Sequence, residues 1–385
     1  MIGCGTVGTA TARLLLEDAT FQHPVVADRA LERARPLADS LDGPVTAIQL
    51  DCLQEEQLVA ALDGISIVLN TAGSFSHDTM SLTRTVIETG ISYADVNDDV
   101  ETLQSVFDSE FLDSLARHRD VGLLPGLGVS PDSTNLMARH LASRMETVEE
   151  VRFYMVNDAT YRSEGVWHHR LSLFGEPMML YDQGAWTQSP VMSQYQDVAF
   201  PAPWGNIRCY MVGLETGTIP LSFDGLRHAS FWREFSDPAT TETLKGLVDT
   251  GFASEEPLQV DGVSVATTTL MEAVLVGDQP GCCPKDPSRL PMQVVVKGTR
   301  AGRSTGLAMT YSFPPGDIAV ATASSLVVGA GLLVSRELPR SGVLYRPRIW
   351  TRPRSCGIWN PEVSTSSWNT LAAIGNGLNR PLAIC

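Results

Sequence analysis

The chain has 385 residues, of which 43% are hydrophobic and 19% are charged. This length accommodates two domains, and the composition is typical of a folded globular protein. A formal net charge of −16 disfavours nucleic acid and anionic membranes as partners, because both are neutralised by Lys and Arg. No basic segment with an apolar core begins the sequence, and no apolar run of about 18 residues occurs, so a cytoplasmic protein is expected.

The first 145 residues alternate short apolar runs with helical stretches, a pattern typical of βαβ units in a parallel sheet. Strands are predicted at 24–28, 45–50, 65–70, 92–96 and 121–124. Helices are predicted at 9–16, 31–41, 55–62, 76–90 and 133–144. These elements predict a Rossmann-type α/β domain over residues 1–147 that binds a dinucleotide.

From about residue 148 the pattern changes to alternating, aromatic-rich segments. Strands are predicted at 151–157, 196–200, 209–212 and 293–296, which indicates a second, α+β domain with a mixed sheet over 148–317. We assign substrate binding and dimerisation to this domain. Residues 319–338 look helical, and 318–345 are predicted to return onto the first domain. The tail at 346–385 is atypical, and both a non-native tail and a genuine extension are open.

A glycine fingerprint stands near the start of the chain. Gly3, Gly5 and Gly8 fit G-x-G-x-x-G, with Thr6 and Val7 at the start of the helix that follows. The first glycine allows a tight turn, the second lets the backbone approach the pyrophosphate, and the third lets the helix and the sheet pack closely. The helix N-terminus then supplies N–H groups and a positive dipole end to the phosphates.

Only Met1 and Ile2 precede the fingerprint, although a strand of about five residues normally leads into it. The central strand of the parallel sheet is therefore expected to be largely missing, which indicates a truncated or mis-started chain.

An acidic residue follows the second predicted strand, where a ribose-binding carboxylate is expected. Asp28 would accept both ribose hydroxyls and repel a 2′-phosphate, which favours NAD as the cofactor. Arg29 could instead hold a 2′-phosphate or stack on adenine, so NADP remains the alternative.

Further cofactor contacts are predicted after the next two strands. Asp51 and Cys52 stand where such folds contact the adenine edge, and Asn70, Thr71 and Ala72 would line the ribose and pyrophosphate. For Asn70, a cap at the strand end is the alternative interpretation. The seven cysteines show no C-x-x-C or Cys/His ligand spacing, so no metal site is predicted.

Several motifs together resemble the saccharopine dehydrogenase-like family. They are the glycine fingerprint, Ala-Asp-Arg at 27–29, Asp51, Val-Leu-Asn-Thr-Ala at 68–72, Ser-Tyr-Ala-Asp-Val at 92–96 and Gly-Val-Ser-Pro-x-x-x-Asn-Leu-x-Ala-Arg-His at 128–140. The resemblance covers roughly residues 1–345 and is clear in the first 145. One departure is that Asp132 and Ser133 stand where relatives more often have Gly-Leu, which puts the geometry of this loop in question.

The resemblance implies hydride transfer between C4 of a nicotinamide and an amine or imine carbon. Such chemistry needs a group that moves a proton and a cation that binds substrate carboxylates. Asp95 is predicted to handle the proton or orient the amine, with Tyr93 beside it. For Asp95, fixing the loop that begins at Asn97 is the alternative.

The second domain contains one dense polar-aromatic cluster, Trp-His-His-Arg at 167–170. His168 could shuttle a proton, and Arg170 could bind a substrate carboxylate through two hydrogen bonds. Surface or structural roles are the alternative for both residues. Arg227 and Arg233 are further candidates for carboxylate binding.

Taken together, these features predict an NAD(P)-dependent oxidoreductase that acts on an amino acid or related amine and forms a homodimer. Two alternatives stay open. One is an oxidative deaminase of the lysine 6-dehydrogenase type, which releases ammonia instead of joining a second amino acid. The other is a non-catalytic protein that senses NAD(H) or scaffolds a partner.

Overall fold

The structure is a computed structural model. It describes residues 1–72, 77–157, 167, 171, 174, 177–213, 217–254, 256–276, 290–313, 318–338, 341–345 and 371–372. The chain divides into two units. Unit 1 comprises Met1–Leu136, Ile318–Asn360 and Gly375–Cys385, and unit 2 comprises Met137–Asp317 and Pro361–Ile374.

The described helices are α1 (Thr6–Glu17), α2 (Leu31–Asp39), α3 (Glu55–Ala61), α4 (His77–Glu88), α5 (Val100–Phe107), α6 (Glu110–Arg119), α7 (Ser133–Ala142), α8 (Pro238–Asp249), α9 (Thr267–Val276) and α10 (Ile318–Val334). None of these is long and apolar enough to cross a membrane.

The described strands are β1 (Val25–Asp28), β2 (Thr46–Gln49), β3 (Ile67–Asn70), β4 (Ser92–Asp95), β5 (Gly122–Leu124), β6 (Thr147–Asn157), β7 (Met178–Asp182), β8 (Ala185–Ser189), β9 (Tyr195–Ala199), β10 (Asn206–Val212), β11 (His228–Phe235), β12 (Leu258–Val260), β13 (Val263–Val265), β14 (Leu290–Arg300), β15 (Arg303–Phe313), β16 (Gly342–Val343) and β17 (Leu371–Ala372).

Unit 1 contains a parallel sheet in which β1 pairs with β2, and β3, β4, β5 and β16 pair in that order. Ile2 forms bridges to both Ala27 of β1 and Asn70 of β3. Its N–H donates to Leu69 O at 2.8 Å, and the Gly3 N–H donates to Ala27 O at 2.8 Å. Two residues therefore occupy the central position for which the sequence lacks a full strand, and they join the two halves of the sheet.

Apolar side chains cover both faces of this sheet, as a parallel sheet requires. On one face Leu326 and Leu333 of α10 pack with Leu69, Ala94 and Leu124. The opposite face packs against α3, α4 and α6 through a second cluster of buried side chains, among them Leu58, Val68, Leu82, Val86, Ile87, Tyr93, Leu112 and Leu123. Burial of each Leu or Val stabilises the fold by roughly 1.5–3 kcal/mol.

Unit 2 is built on a mixed sheet with the order β15-β14-β6-β11-β10-β9. The pair β6 and β11 is parallel, whereas β14 with β6 and β10 with β11 are antiparallel. The hairpin of β7 and β8 joins the sheet at β11, where Tyr181 lies opposite Ala229. A parallel sheet with helices in one unit and a mixed sheet in the other confirm the predicted fold class.

Several elements lie where the sequence analysis predicted none. Helices α5 and α6 fill the interval between β4 and β5, and each begins at a capping side chain: Asp99 accepts from Thr102 N at 2.8 Å, and Ser109 from Leu112 N at 3.2 Å. Strands β11 and β15 also lie outside the predictions, and they pair with β6 and β14, respectively.

Candidate functional site

The glycine turn leaves no room for side chains at two of its three glycines. Gly3 has φ +93°, and a Cβ there would lie 2.6 Å from Ala72 N. A Cβ on Gly8 would lie only 1.9 Å from Gly3 O. By contrast, no atom lies within 4 Å of a Cβ built on Gly5. Gly3 and Gly8 are thus required by the fold of the turn, whereas the space above Gly5 is open.

That open space adjoins the beginning of α1. Gly5 is the N-cap of this helix and provides no capping side chain, and the first turn carries no acidic residue. Thr6 is exposed and Val7 is half-buried. Uncapped N–H groups and a positive dipole end create an attractive position for an anion. The turn therefore fits the pyrophosphate of a dinucleotide, as the fingerprint predicts.

Asp28 is held against this turn by main-chain hydrogen bonds. Its Oδ2 accepts from Cys4 N at 2.9 Å, and its Oδ1 accepts from Ala30 N at 3.0 Å. Each carboxylate oxygen can accept more than one hydrogen bond. Burial, followed by the negative charge of Asp28, raises the pKa of the Cys4 thiol to about 11, so Cys4 stays neutral. The carboxylate of Asp28 consequently lies beside the glycine turn in a fixed orientation.

Two arginines flank Asp28 on the exposed side. Arg29 and Arg33 both have exposed side chains, and neither guanidinium forms an ion pair with another described residue. Arg33 is near enough to Cys4 to act on the pKa of its thiol. Positive charge therefore lies near Asp28, where the 2′ group of the adenosine ribose, a hydroxyl in NAD and a phosphate in NADP, is expected to bind.

The residues after β3 fasten their loop to the glycine turn. Thr71 Oγ1 donates to Gly3 O at 2.9 Å and contacts Ile2 O at 3.0 Å. Asn70 Oδ1 accepts from Ala72 N at 3.0 Å, which is the strand-end cap considered as the alternative for this residue. These contacts bring Asn70, Thr71 and Ala72 together with the fingerprint.

The hydrogen bonds of Asp51 are local. Asp51 Oδ1 accepts from Leu53 N at 3.1 Å, and Asp51 N donates to Gln57 Oε1 at 3.4 Å. Cys52 is half-buried and packs against the apolar cluster on the α3–α4 face of the sheet. The adenine contact that the sequence assigns to Asp51 and Cys52 stays a prediction.

Asp95 and Tyr93 are buried at the end of β4, with 1% and 0% of their surfaces exposed. Asp95 Oδ1 accepts from Asn97 N at 3.0 Å and from Gly126 N at 2.8 Å. Burial raises the pKa of Asp95 to about 6, although these two N–H groups and the Tyr93 hydroxyl act in the opposite direction. Burial also raises the pKa of Tyr93 well above its ordinary value.

Two residues of this arrangement were not singled out from the sequence. The sequence analysis names Asn97 only as the start of the loop that Asp95 fixes in its alternative role, and the Asp-x-Asn spacing is a signal for such a turn. Gly126 stands 31 residues beyond Asp95, and no local pattern indicates that they meet.

Asp132, which replaces the glycine of the resembled pattern, has φ +97°. This backbone region favours glycine, so the substitution introduces strain. The Asp132 carboxylate accepts a hydrogen bond from Ser325 Oγ of α10. The departure is therefore accompanied by a buried contact that glycine cannot make.

In unit 2 the aromatic member of the predicted cluster is part of the core. Trp167 is fully buried, and its ring stacks on Phe235 with the centroids 5.8 Å apart. His168 and Arg170 lie outside the described residues. Arg233 is buried with its guanidinium 5.4 Å from the ring centroid of Phe231, whereas Arg227 is exposed.

Unit 2 also contains a cleft of about 590 Å³ on one face of its sheet. Strands β6, β7, β8 and β11 line it, and its ionisable residues include Glu150, Arg152, Asp182 and His228. These residues already contact one another in pairs: Arg152 binds Glu150, and His228 Nδ1 lies 2.6 Å from Asp182 Oδ1.

Comparison with known proteins agrees with the geometry of unit 1. Residues 1–121 match the family model described as the saccharopine dehydrogenase NADP binding domain. The match confirms the family resemblance predicted from the motifs, over the part of the chain that contains the glycine turn, Asp28, Asn70 and Asp95. Residues 1–121 are thus similar to the NADP binding domain of saccharopine dehydrogenases.

Solved structures with a similar chain trace include three dehydrogenases. An amine dehydrogenase from Mycobacterium smegmatis is 12% identical, with a TM-score of 0.48, and the alignment covers 92% of this chain and 96% of that one. An engineered D-amino acid dehydrogenase bound to NADP+ is 11% identical, with a TM-score of 0.46 and coverage of 91% and 92%. The DAP dehydrogenase of C. glutamicum in complex with DAP is 11% identical, with a TM-score of 0.45 and the same coverage. Likeness at this level carries no inference about substrate.

Proposed function

We propose that the protein is an NAD(P)-dependent oxidoreductase that transfers a hydride to or from the carbon of a C–N bond in an amino acid or related amine. The observation that carries the proposal is the glycine turn, in which Gly3 and Gly8 are sterically required while Gly5 faces open space at an uncapped helix N-terminus. The matched family model supports a dehydrogenase domain.

The residues of unit 1 fit the parts of the cofactor. The N–H groups at Gly5, Thr6 and Val7 would bind the pyrophosphate, and Asp28 would accept the ribose hydroxyls. When bound, the nicotinamide supplies or accepts the hydride at C4. Asp28 favours NAD, and the unpaired guanidiniums of Arg29 and Arg33 are the groups that would hold the 2′-phosphate of NADP.

For the chemical step, the sequence indicates Asp95, Tyr93 and His168 as candidates for proton transfer and Arg170 for binding a substrate carboxylate. Asp95 and Tyr93 are buried, so we propose that they position the loops that border the cofactor, and His168 stays the candidate for proton transfer.

The test begins with binding. The protein is titrated with NADH and NADPH while the fluorescence of the reduced nicotinamide is followed. Tighter binding of NADH would indicate that Asp28 sets the cofactor preference, and tighter binding of NADPH would indicate that Arg29 and Arg33 do. Turnover is then measured by the absorbance of reduced nicotinamide with lysine, saccharopine and diamines as substrates. Binding and turnover together would support the proposal. Tight binding without turnover on any amine would favour a sensor or scaffold, and absence of binding would refute the assignment of the site.

Release of ammonia separates an oxidative deaminase of the lysine 6-dehydrogenase type from a reductase that joins two amino acids. We further propose that the protein forms a homodimer through unit 2, which size-exclusion chromatography with light scattering tests directly.

A further inference from the structure

Three neighbouring strands of unit 1 end at the same edge of the sheet. Strands β3, β4 and β5 are parallel and adjacent, and Asn70 lies opposite Asp95 in the register. The loops that leave this edge are the ones that border a dinucleotide in folds of this kind.

The carboxylate of Asp95 joins two of these loops. Its Oδ1 accepts from Asn97 N in its own loop and from Gly126 N in the loop after β5. Gly126 has φ +73°, and a Cβ there would lie 3.3 Å from Asn97 O and 3.0 Å from Leu103 Cδ2. The two loops therefore touch at the carboxylate, and the close approach leaves little room for a larger residue.

Tyr93 extends the connection to the third loop. It precedes Asp95 by two residues, so both side chains project from the same face of β4. The Tyr93 hydroxyl lies near enough to Asp95 to act on its pKa, and it accepts from Asn70 Nδ2 at 3.0 Å. Asn70 in turn holds Ala72 N, and Ala72 packs directly on Gly3. A continuous path of contacts thus runs from Asp95 to the glycine turn.

We infer that Asp95 is a positioning residue, whose carboxyl group holds the loops after β4 and β5 in the arrangement that binds the dinucleotide. The inference rests on the proposed function, because it assigns these loops to the cofactor. Burial favours the protonated carboxyl in the folded arrangement, so ionisation of Asp95 would loosen the two loops.

The surroundings of Asp95 bring the ionisation of its carboxyl group close to neutral pH. Water does not compete for the carboxylate, since Asp95, Tyr93 and Asn70 are all buried. Asp98 adds a like charge that favours the protonated form, and Tyr93 is the other ionisable group that acts on it. Burial raises the pKa of Asp95 to about 6, so the group titrates between pH 5 and 7.

The first experiment measures cofactor affinity against pH. We compare wild type with Asp95→Asn, which resembles the protonated carboxyl at every pH, from pH 5 to pH 8 by NADH and NADPH fluorescence. Wild type should bind about tenfold more tightly at pH 5 than at pH 8, because the loops favour the protonated carboxyl. Asp95→Asn keeps the Oδ1 acceptor without the charge, so it should bind at pH 8 as tightly as wild type at pH 5. Asp95→Ala removes the acceptor and should bind about tenfold more weakly than Asp95→Asn at both pH values. Equal affinities of Asp95→Asn and Asp95→Ala would overturn the inference.

A second measurement needs no cofactor. Hydrogen exchange of peptides that contain Asn97 N–H and Gly126 N–H, corrected for the intrinsic effect of pH, reports on the loops themselves. We expect faster exchange in Asp95→Ala than in Asp95→Asn, and in wild type faster exchange above pH 6 than below it. Unchanged exchange would overturn the inference even if the cofactor binds. If exchange changes as expected but neither cofactor binds, the proposed function fails and the positioning role stands.

Two further variants distinguish a positioning role of Asp95 from a general loss of stability in unit 1. Tyr93→Phe removes the link to Asn70 but leaves the bonds from Asn97 and Gly126, so its effect on affinity should be smaller and should retain the pH dependence. Asp113→Asn is the matched control, because Asp113 also accepts a main-chain N–H, from Val343 at 2.9 Å, but lies on α6 with a pKa lowered by Arg117. Its cofactor affinity should equal that of wild type. A loss in Asp113→Asn similar to that in Asp95→Ala would show that any loosening of unit 1 impairs binding, which would also overturn the inference.

Discussion

Each unit of the molecule contains a buried carboxyl group, and the two differ in what they connect. Asp95 in unit 1 is 1% exposed and Glu234 in unit 2 is 4% exposed. Burial raises the pKa of Asp95 to about 6 and that of Glu234 to about 8. In both cases main-chain N–H groups act against the rise in pKa, and nearby carboxylates add to it, Asp98 for Asp95 and Glu242 and Asp237 for Glu234.

The partners of the two groups lie at very different distances along the chain. Glu234 accepts from Phe235 N and from Thr241 Oγ1, one and seven residues away. Asp95 reaches Gly126, which is 31 residues away and follows another strand. The comparison teaches that a shifted pKa alone does not mark a functional group. Its partners decide whether titration affects local stability or the arrangement of a site.

The largest effect is expected at Glu234. Its pKa in the folded protein, about 8, lies above the ordinary value of 4.5, so the folded state binds more protons and stability falls as pH rises from 4.5 to 8. Glu234→Gln removes this loss and should stabilise unit 2 by roughly 2–4 kcal/mol at pH 8, with little gain at pH 5.

Urea unfolding at both pH values measures this effect. Tryptophan fluorescence is a suitable signal, because all described tryptophans, which are Trp167, Trp186, Trp204 and Trp232, lie in unit 2. The same gain at both pH values would contradict the assignment to Glu234. Cofactor affinity should not change, and a change would break the contrast with Asp95.

The next effect distinguishes two glycines of the same turn. In Gly8→Ala the new Cβ would lie 1.9 Å from Gly3 O, and we expect a loss of roughly 2–3 kcal/mol in unit 1 through overpacking. In Gly5→Ala the methyl group enters open space and φ is −76°. That variant should keep its stability, because alanine fits this backbone, and should lose cofactor binding.

Thermal unfolding followed by circular dichroism measures the stability of both glycine variants, and nicotinamide fluorescence measures their binding. If Gly5→Ala binds the cofactor as wild type does, the pyrophosphate does not lie above Gly5.

The smallest effect is expected at Thr71, whose hydroxyl fastens the loop after β3 to the glycine turn. Thr71→Val preserves the shape and removes the donor, which should destabilise unit 1 by about 1 kcal/mol. Thr241→Val is the counterpart in unit 2, since it removes the hydroxyl that binds Glu234. Only Thr71→Val should weaken cofactor binding, as titration of each protein with NADH would show.

The sequence was most informative where local chemistry determines structure. Gly3, Gly8 and Asp28 were recognised because a tight turn, a helix start and a strand end each demand particular residue types at fixed spacing. The same holds for the strand-end position of Asn70. Helices α5 and α6 could have been found by the same reasoning, because Asp99 and Ser109 are favourable N-caps.

What escaped prediction depends on contacts between distant parts of the chain. Strand β11 reads His-Ala-Ser-Phe-Trp-Arg-Glu-Phe, and its last five residues are all buried, so the alternation that identifies a half-exposed strand is absent. Asp95 was singled out as a residue for proton transfer. Its bond to Gly126 could not be read from the sequence, because it arises only when β4 and β5 are paired.

The bridges that Ile2 forms to Ala27 and Asn70 have a consequence for how the sheet of unit 1 opens. The halves that contain β1 and β3 are linked in main-chain pairing only through Met1–Gly3, since no described residue of β1 pairs directly with β3. Cooperative units in proteins often separate where few hydrogen bonds connect them. Opening at these bridges would separate Asp28, together with β1, α2 and β2, from β3, β4 and β5, against the apolar packing of Ala27 and Leu50 in the cluster that contains Val68.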